Sequence, residues 1–362
     1  MKKVLFILGA VILIICAFIL LYPSFGKKPS KACRQEYSLR TDNYYYDGKK
    51  FFYPEEWSID SGLDNITVSD KAAKPVDNLP VYSPDFSLAN DDNVCVTWFG
   101  HSSLLLQIHG LNILIDPVFS DYASPVQFAG PKRFTKPSVT VDELPEIDVL
   151  ILSHDHYDHL DMDAVKRLDS KVKEFIVPLG VENHLKKWGI DDNRISEFAW
   201  WESKKLSGGI EITCTPSRHF SGRKIVDSNM TSWCSWVIQD DKFSIFDSCD
   251  SAYGGHYEEI QKRFGSFDLV FMECGQYNSN WHYSHMYPEE GAIASETVKA
   301  KCVMPVHWGA FVLSNHGWDD SPERFTVEAE KRGLNVVTPH LSETFVLGTD
   351  SDYKDRWWRN YQ

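Results

Sequence analysis

The sequence predicts a layered α/β (or α+β) domain with mixed sheets, placed behind an apolar amino-terminal helix. Three observations indicate this class: short β-rich runs bounded by turn residues, helix-like stretches between them, and strands that come in pairs and also alternate with helices. Paired strands form antiparallel hairpins, whereas strands separated by helices are typical of parallel pairing. The 362 residues, 43% of them hydrophobic, suffice for one large domain or two medium ones.

Residues 1–22 are predicted to be a membrane anchor or a signal segment. Val4–Leu21 is an uncharged run of 18 residues, which is just long enough to cross a bilayer core as a helix. We favour an anchor, because the run is longer than the apolar part of a usual signal peptide and no clear cleavage site follows it. Bulky Ile15 before Cys16 argues against lipidation. The predicted location is therefore a membrane of the bacterial cell envelope. Lysines flank the run on both sides, so the side of the membrane is left open.

Residues 23–92 are predicted to form an irregular arm packed on the domain that follows. This stretch is polar, interrupted by prolines, and contains the aromatic run YYYDGKKFFYPEEW at positions 44–57. The main domain is predicted to occupy residues 93–362.

The main domain starts with three β-rich runs, VCVTWFG, SLLLQIHG and LNILIDPV, with a hairpin turn predicted at HGLN. Further strands are predicted at IDVLILS, EFIVP, IEITCTP, SWVIQ, FSIFDS, FDLVFMEC, CVMPVHWG and ETFVLG. Five helices are predicted at MDAVKRLDSKV, GVENHLKKWG, YEEIQKRFG, PEEGAIASETVKA and SPERFTVEAEKRG. The sequence has no repeat of 20 to 50 residues, so no repeat architecture is expected.

Charge and cysteine usage argue against two interpretations of the chain. Six of the 37 basic residues precede Glu36, so the rest of the chain has 31 basic and 51 acidic residues, a net charge of −20. Such a surface repels phosphate polymers, which argues against nucleic acid as a partner, although one phosphate in a metal site remains compatible. The eight cysteines are scattered singly, which favours small buried side chains over a disulfide framework or a zinc ribbon.

The stretch SHDHYDHLD, residues 153–161, concentrates potential metal ligands directly after the apolar run IDVLIL. His154 and His156, two positions apart, can hold one ion, and Asp158 with His159 can hold a second. Imidazole and carboxylate groups at this density suit divalent metals such as zinc. A merely solvated turn is the weaker alternative, because unpaired polar groups at the end of a buried strand are costly.

The other polar residues of this stretch have different predicted roles. Asp155 and Tyr157 are expected to be spacers that face away from the metals. Asp161 is expected to orient a ligand or to start the following helix.

Three later residues are further candidate ligands. His219 in TPSRHFSG, Asp250 in DSCDSAYG and His307 in MPVHWGAF each follow a predicted strand. Any one of them alone could equally be a structural histidine or a turn aspartate. Their shared position at strand ends favours a common site.

The order HxHxDH followed by a single His, Asp and His resembles the pattern of the metallo-β-lactamase-fold hydrolases. Within that superfamily, collinear matches over roughly residues 94–347 are similar to the N-acylphosphatidylethanolamine-hydrolysing phospholipases D. The matching text includes TWFGHSSLLLQ, DPVFSDYASPVQFAGPKRF, LPEIDVLILSHDHYDHLD, TPSRHF, DSAYG, HMYPEE and HWGAF.

The resemblance implies a four-layer αβ/βα sandwich of two mixed sheets flanked by helices, with two Zn²⁺ per chain. It places His154, His156 and His219 on the first ion. It places Asp158, His159 and His307 on the second ion, with Asp250 bridging both. His285, in HMYPEE, matches another histidine near the family's site, so Asp158, Asp250 and His285 are the catalytic candidates. The iron-binding branch has glutamate at the position of His156, which favours zinc here.

The resemblance also implies the reaction. N-acylphosphatidylethanolamine would be hydrolysed to N-acylethanolamine and phosphatidic acid by a hydroxide bridging the metals, so the expected partners are the phospholipid and the membrane, and a homodimer is left open. The alternative is a lactone, sugar phosphate or other phosphodiester substrate, since fold and metals do not specify a substrate. A non-catalytic membrane-tethered binding protein would be expected to have lost ligands, whereas this chain keeps the whole set.

Departures from the family pattern lie close to the site. Cys249 and Ala252 replace the usual glycines beside the bridging aspartate, so this turn uses residues that tolerate positive φ less well. Asp247 is therefore a rival for the bridging role. We favour Asp250, because DSAYG matches and Asp247 lies deeper in the strand. Cys249 is expected to point away from the metals, and the run around Glu273 bears on the substrate more than on the metals.

Overall fold

The computed structural model describes residues 2–42, 44–59, 61–63, 72–224, 226–349 and 353–362. Helix α1 covers Lys2–Leu21. Its stretch Val4–Leu21 is the one helix of the described residues that is long and apolar enough to cross a membrane. An anchor and a signal segment both fit this helix.

The arm that follows α1 contains one helix that the sequence analysis does not predict. Helix α2, Lys31–Arg40, starts where the Ser30 side chain accepts a hydrogen bond from the backbone N–H of Cys33. The aromatic run of the arm packs on the main domain: the ring of Tyr45 stacks on that of Trp200 with centroids 3.9 Å apart. Both rings are buried, so they serve packing rather than lipid contact.

The first sheet has seven strands in the order β13-β1-β2-β3-β4-β5-β6. The strands are β1 (Val94–Trp98), β2 (Leu104–Ile108), β3 (Leu111–Ile115), β4 (Ile147–Ile151), β5 (Val172–Pro178), β6 (Ile195–Phe198) and β13 (Thr344–Val346). The strands from β13 to β3 pair antiparallel, and those from β3 to β6 pair parallel. His109 and Gly110, both at positive φ, form the predicted hairpin turn between β2 and β3.

The second sheet has six strands in the order β12-β11-β10-β9-β8-β7. The strands are β7 (Ser203–Lys205), β8 (Glu211–Thr215), β9 (Ser235–Gln239), β10 (Ser244–Asp247), β11 (Leu269–Glu273) and β12 (Val303–Val306). The strands from β7 to β10 pair antiparallel, and β10, β11 and β12 pair parallel.

Helices cover the outer face of each sheet. They are α3 (Met162–Leu168) and α4 (Glu182–Trp188), then α5 (His256–Phe264), α6 (Pro288–Thr297) and α7 (Asp320–Lys331). In β4, Val149 and Ile151 belong to the central core that joins the two sheets, whereas Leu150, and Leu152 just beyond the strand, pack with residues of α3 and α4. Burial on both faces explains why residues 149–152 are continuously apolar. The predicted fold of two mixed sheets flanked by helices is confirmed.

The topology brings the predicted ligands to one edge. The parallel strands β4, β10 and β12 carry His154, Asp250 and His307 just beyond their carboxyl ends. A direct link joins the two sheets there, because the backbone N–H of His101 donates to the carbonyl of Trp308 and that of His307 donates to the carbonyl of His101.

Candidate metal centre

The first set of ligand atoms comes from three histidines. Nε2 of His154 lies 2.8 Å from Nδ1 of His156, which lies 3.2 Å from Nε2 of His219. Nδ1 of His219 is 2.9 Å from the carbonyl oxygen of Ser284, to which it donates, and this turns Nε2 toward the other two rings. The structure thus brings together the three residues predicted for the first ion.

The second set contains Asp158, His159 and His307. Oδ2 of Asp158 lies 3.6 Å from Nε2 of His159 and 3.6 Å from Nε2 of His307. Nδ1 of His159 donates to Asp116 over 2.7 Å, which fixes its ring with Nε2 directed at the other donors.

Asp250 reaches both sets. Its Oδ2 lies 3.8 Å from Nε2 of His154, 3.6 Å from Nε2 of His219 and 3.1 Å from Nε2 of His159. Its Oδ1 lies 3.2 Å from Nε2 of His307. This is the arrangement that a carboxylate shared by two ions requires.

These donors fit divalent metal ions. Two ligand atoms at 2.0–2.1 Å from one tetrahedral ion are about 3.3 Å apart, close to most of the separations above. Three of the buried donor atoms have no hydrogen-bond partner among the described residues: Nε2 of His159, Nε2 of His307 and Oδ1 of Asp250. A buried polar atom without a partner is costly, and a coordinated ion would satisfy all three.

The electrostatics of the two sets differ. Burial lowers the pKa of His154 and of His219 well below the usual value, so both are neutral nitrogen donors at neutral pH. Burial also disfavours the charge on His307, but Asp250 and Asp158 outweigh it and raise the pKa of His307 to about 10. At the second set, the proton on His307 therefore balances part of the negative charge of Asp250 and Asp158, as a bound cation would.

Asp247, the rival for the bridging role, lies outside both sets. Its Oδ1 accepts a hydrogen bond from the backbone N–H of Cys249, and burial raises the pKa of Asp247 to about 7. Cys249 adopts φ +48°, in the left-handed region that the usual glycine would favour. The Cys249 side chain belongs to none of the described groups that could hold a metal.

His101 is a residue of the centre that the sequence analysis does not single out. Its Nε2 lies 2.9 Å from Oδ2 of Asp158, and its ring packs on that of His307 with centroids 4.2 Å apart. Burial and the neighbouring His307 lower the pKa of His101 to about 3. The available signal was a histidine just beyond β1, in TWFGHSS, which is the same kind of strand-end position that marks the other ligands.

Two buried carboxylates that support the ligands were also missed. Asp116, at the end of β3, accepts hydrogen bonds from His159 and from the backbone N–H of Ser153. Glu273, the last residue of β11, is bonded through Oε1 to Nδ1 of His285, and the same oxygen lies 3.5 Å from Nδ1 of His307. Each carboxylate lies at the end of a buried strand or directly after it, at the sheet edge that carries the candidate ligands. This position is the signal that could have found them.

The remaining polar residues of the 153–161 loop have structural roles. Asp161 caps α3, as predicted, by accepting hydrogen bonds from the N–H groups of Asp163 and Ala164. Asp155 faces away from the metal donors, as predicted, but it is more than a spacer: its buried carboxylate is bonded to His184, Thr231 and the N–H of Gly222.

A cleft of about 370 Å³ opens over the donors. His285 lies on its wall, with its ring parallel to that of His307 and centroids 5.3 Å apart. Another part of the wall is apolar, with the lining side chains Phe220, Trp281, Tyr283 and Leu313. The cleft thus combines a metal-binding floor with a surface for an apolar chain.

Comparison with known proteins agrees with this geometry. Residues 111–308, which contain all seven predicted ligands, match the family described as a β-lactamase superfamily domain. The chain belongs to the metallo-β-lactamase superfamily. It is a metal-dependent hydrolase of that superfamily, and its buried His/Asp clusters are consistent with a binuclear site.

Three similar proteins show how broad the likeness is. A protein of Mycobacterium tuberculosis (strain ATCC 25618 / H37Rv), described as uncharacterized, is 38% identical over 80% of this chain and 78% of its own length. N-acyl-phosphatidylethanolamine-hydrolyzing phospholipase D 1 of Caenorhabditis elegans is 33% identical over 82% of this chain and 92% of its own length. The structure of Igni18, a metallo hydrolase of Ignicoccus hospitalis KIN4/I, superposes with a TM-score of 0.56 at 19% identity. The match covers 70% of this chain and 98% of the Igni18 chain, and it supports the fold alone.

Gly275 tests how tightly the second set of donors is built. A Cβ at Gly275 would collide with the carbonyl oxygen of His307, so Gly275→Ala must displace that ligand. A shift of about 1 Å at a reacting centre lowers a rate about 100-fold, and we expect a loss of that size in kcat/KM. Gly255→Ala, where the added Cβ makes ordinary contacts with Trp57, is the matched control and should keep its activity. Full activity of Gly275→Ala would contradict the placement of His307.

Glu273 tests the support of the ligands. Glu273→Gln keeps the shape of the side chain but removes the charge that faces His285 and His307. Losing such an outer partner typically lowers metal affinity or activity by about 10- to 100-fold, which is the expected result in zinc titration and in kcat/KM. Glu259→Gln, on the surface of α5, is the control. Unchanged zinc affinity together with unchanged activity would show that Glu273 does not support the centre.

Proposed function

We propose that the chain is a binuclear zinc phosphodiesterase of the phospholipase D type. It would hydrolyse N-acylphosphatidylethanolamine to N-acylethanolamine and phosphatidic acid. The observation that carries the reaction class is the reach of Asp250 to both sets of donors. The substrate rests on the Caenorhabditis elegans relative, whose name states this activity.

The residues divide the work of holding the metals. His154, His156 and His219 would hold one zinc ion, Asp158, His159 and His307 the other, and Asp250 both. Zinc ions held in this way would lower the pKa of water and draw charge from a phosphoryl oxygen, which would make water a nucleophile at neutral pH. Asp116 and Ser284 keep the rings of His159 and His219 in the orientation that this requires.

His285 is our candidate for the residue that acts on the leaving group. Its Nδ1 is hydrogen-bonded to Oε1 of Glu273, and one of its ring nitrogens lies within 4.8 Å of an Asp250 carboxylate oxygen. In the proposed reaction a water oxygen bonds to phosphorus and the bond from phosphorus to the ethanolamine oxygen breaks. Nε2 of His285 would take up the proton that the water loses and deliver it to that oxygen, which leaves as the hydroxyl of N-acylethanolamine.

The apolar wall and α1 support a lipid substrate. Phe220 and Trp281 line the cleft where an acyl chain would lie. Helix α1 would anchor the enzyme in the bilayer that contains the substrate, in the cell envelope.

The test is product release from defined vesicles. The purified full chain, reconstituted with N-acylphosphatidylethanolamine, should release phosphatidic acid and N-acylethanolamine in equal amounts, and Asp250→Asn should not. A lactone, a sugar phosphate and a simple phosphodiester should be turned over far more slowly. Efficient turnover of one of these soluble compounds, without release from the vesicles, would replace the proposed substrate with the alternative.

A further inference from the structure

The segment that follows α1 is held to the main domain by hydrogen bonds between its backbone and side chains of that domain. Nε1 of Trp188 donates to the carbonyl of Pro23 over 2.8 Å, and Nε of Arg223 donates to that of Ser24 over 2.8 Å. The next residues are held as well, because the N–H of Lys27 donates to Nδ1 of His184 over 2.9 Å. Ser24 is buried, so this segment is part of the folded body.

The segment fits its position closely. Gly26 lies at φ +65°, and a Cβ there would collide with the ring of His184. Upstream, the ring of Phe18 in the last turn of α1 packs on Tyr22 and Phe25, with centroids 4.8 Å and 5.8 Å apart. The base of α1 is therefore fixed relative to the main domain.

Two of the side chains that hold this segment, Arg223 and His184, lie at the end of the sheets that carries the candidate metal ligands. Nη1 of Arg223 donates to the carbonyls of Asp155 and Leu160, and Nε2 of His184 is bonded to the carboxylate of Asp155. The side chains that hold the base of α1 therefore also hold the loop that carries His154 and His156. A membrane crossed by α1 must run beside this end of the molecule.

Two loops flank the base of α1, and among their described residues each exposes one large apolar side chain. The loop of residues 121–131 shares a small cavity with Tyr22 and Ser24, and its Phe128 is 78% exposed. The second loop, described at residues 219–224 and 226–229 and called the 219–229 loop, begins at the candidate ligand His219, lines the cleft with Phe220, and exposes 79% of Val226. Lys224 in this loop also donates to the carbonyl of Gly26, at 3.4 Å.

We propose that the loops 121–131 and 219–229 form a membrane-contact surface, with Phe128 and Val226 inserted at the headgroup level of the bilayer. The surface is continuous with the base of α1, which identifies its occupant as lipid. Apolar side chains at this depth strengthen interfacial binding in proportion to their buried area. The proposal rests on the proposed anchoring by α1 and extends the proposed function: the cleft would receive its amphiphilic substrate from the same membrane, along the 219–229 loop.

The first test measures depth and does not depend on turnover. A fluorophore is attached at Phe128→Cys or Val226→Cys in a Cys16→Ser, Cys33→Ser background, because the other six cysteines are buried. The control is Lys301→Cys, which precedes β12 at the end of the sheet opposite to His307. The full chain is reconstituted in phosphatidylcholine vesicles that contain a lipid with a headgroup quencher.

Quenching at positions 128 and 226 should exceed that at position 301 by about threefold or more, as expected for side chains at the headgroup level. Equal quenching at all three positions would overturn the proposal. Strong quenching at 128 and 226, together with no hydrolysis of vesicles that contain N-acylphosphatidylethanolamine, would leave the surface in place and reject the proposed substrate, so the two failures are distinguishable.

The second test uses the variant Phe128→Ser with Val226→Ser. Its rate on vesicle substrate, relative to its rate on the same lipid in detergent micelles, should fall about threefold or more, because two apolar anchors are lost. An unchanged ratio would overturn the proposal.

Discussion

Asp250→Asn is expected to lower kcat/KM about 1,000-fold, which corresponds to about 4 kcal/mol of transition-state stabilisation. The reason is that one carboxylate contacts donors of both sets, at 3.1 Å from His159 and 3.2 Å from His307. In the proposed binuclear centre, removing this charge would weaken the binding of both ions, whereas loss of a ligand to one ion would weaken the binding of that ion alone. The measurement is steady-state hydrolysis together with the zinc content of the same sample.

Asp247→Asn is the matched control for this prediction. Asp247 is a buried aspartate three positions earlier, and asparagine keeps the oxygen that accepts from the N–H of Cys249. We expect it to retain its zinc and most of its activity. If Asp247→Asn lost as much activity as Asp250→Asn, the shared carboxylate would have been assigned to the wrong residue.

Removing the metals with a chelator is expected to abolish hydrolysis and to lower Tm by about 16 °C. Each ion present at about 1,000 times its Kd stabilises the folded state by about 4 kcal/mol, so two ions contribute about 8 kcal/mol, and each kcal/mol changes Tm by about 2 °C in a chain of this size. We expect the metal-free chain to stay folded. The pKa of His307 is raised, so His307 carries an extra proton at neutral pH, and this charge replaces part of the lost positive charge beside Asp158 and Asp250.

Metal analysis before and after chelation checks this result. The untreated chain should contain close to two zinc ions, and added zinc should restore both Tm and activity. The control is His109→Gln. His109 lies in the hairpin turn between β2 and β3 and pairs with Asp240, not with a candidate ligand, so this variant should keep the full zinc content. A metal-free sample with full activity would overturn the metal interpretation altogether.

The strands that the sequence predicts well are those that are buried on both faces. The run IDVLIL contains β4, and alternate residues from Val149 onward pack into the central core and under α3 and α4. This stretch is apolar from Val149 to Leu152, so its own composition identifies it. The ligand loop that follows is equally visible, because four donors in six positions have no other economical explanation.

The elements that the sequence analysis misses owe their structure to contacts rather than to composition. Strands β6 and β7 are short, partly polar and lie at the edges of the two sheets. Their backbone pairing with β5 and β8 decides their conformation. Helix α2 is polar and lacks apolar periodicity, and its visible signal was the capping residue Ser30.

The sequence by itself determined the types of ligand, their order along the chain and their placement after strands, because these are local properties of short segments. Only the tertiary structure decided which atoms meet. His101 reaches Asp158, Glu273 supports His285 and His307, and Arg223 joins the base of α1 to the ligand loop. These contacts link residues 12 to 199 positions apart. Such pairs become neighbours only when the two sheets have packed and their strand ends share one edge.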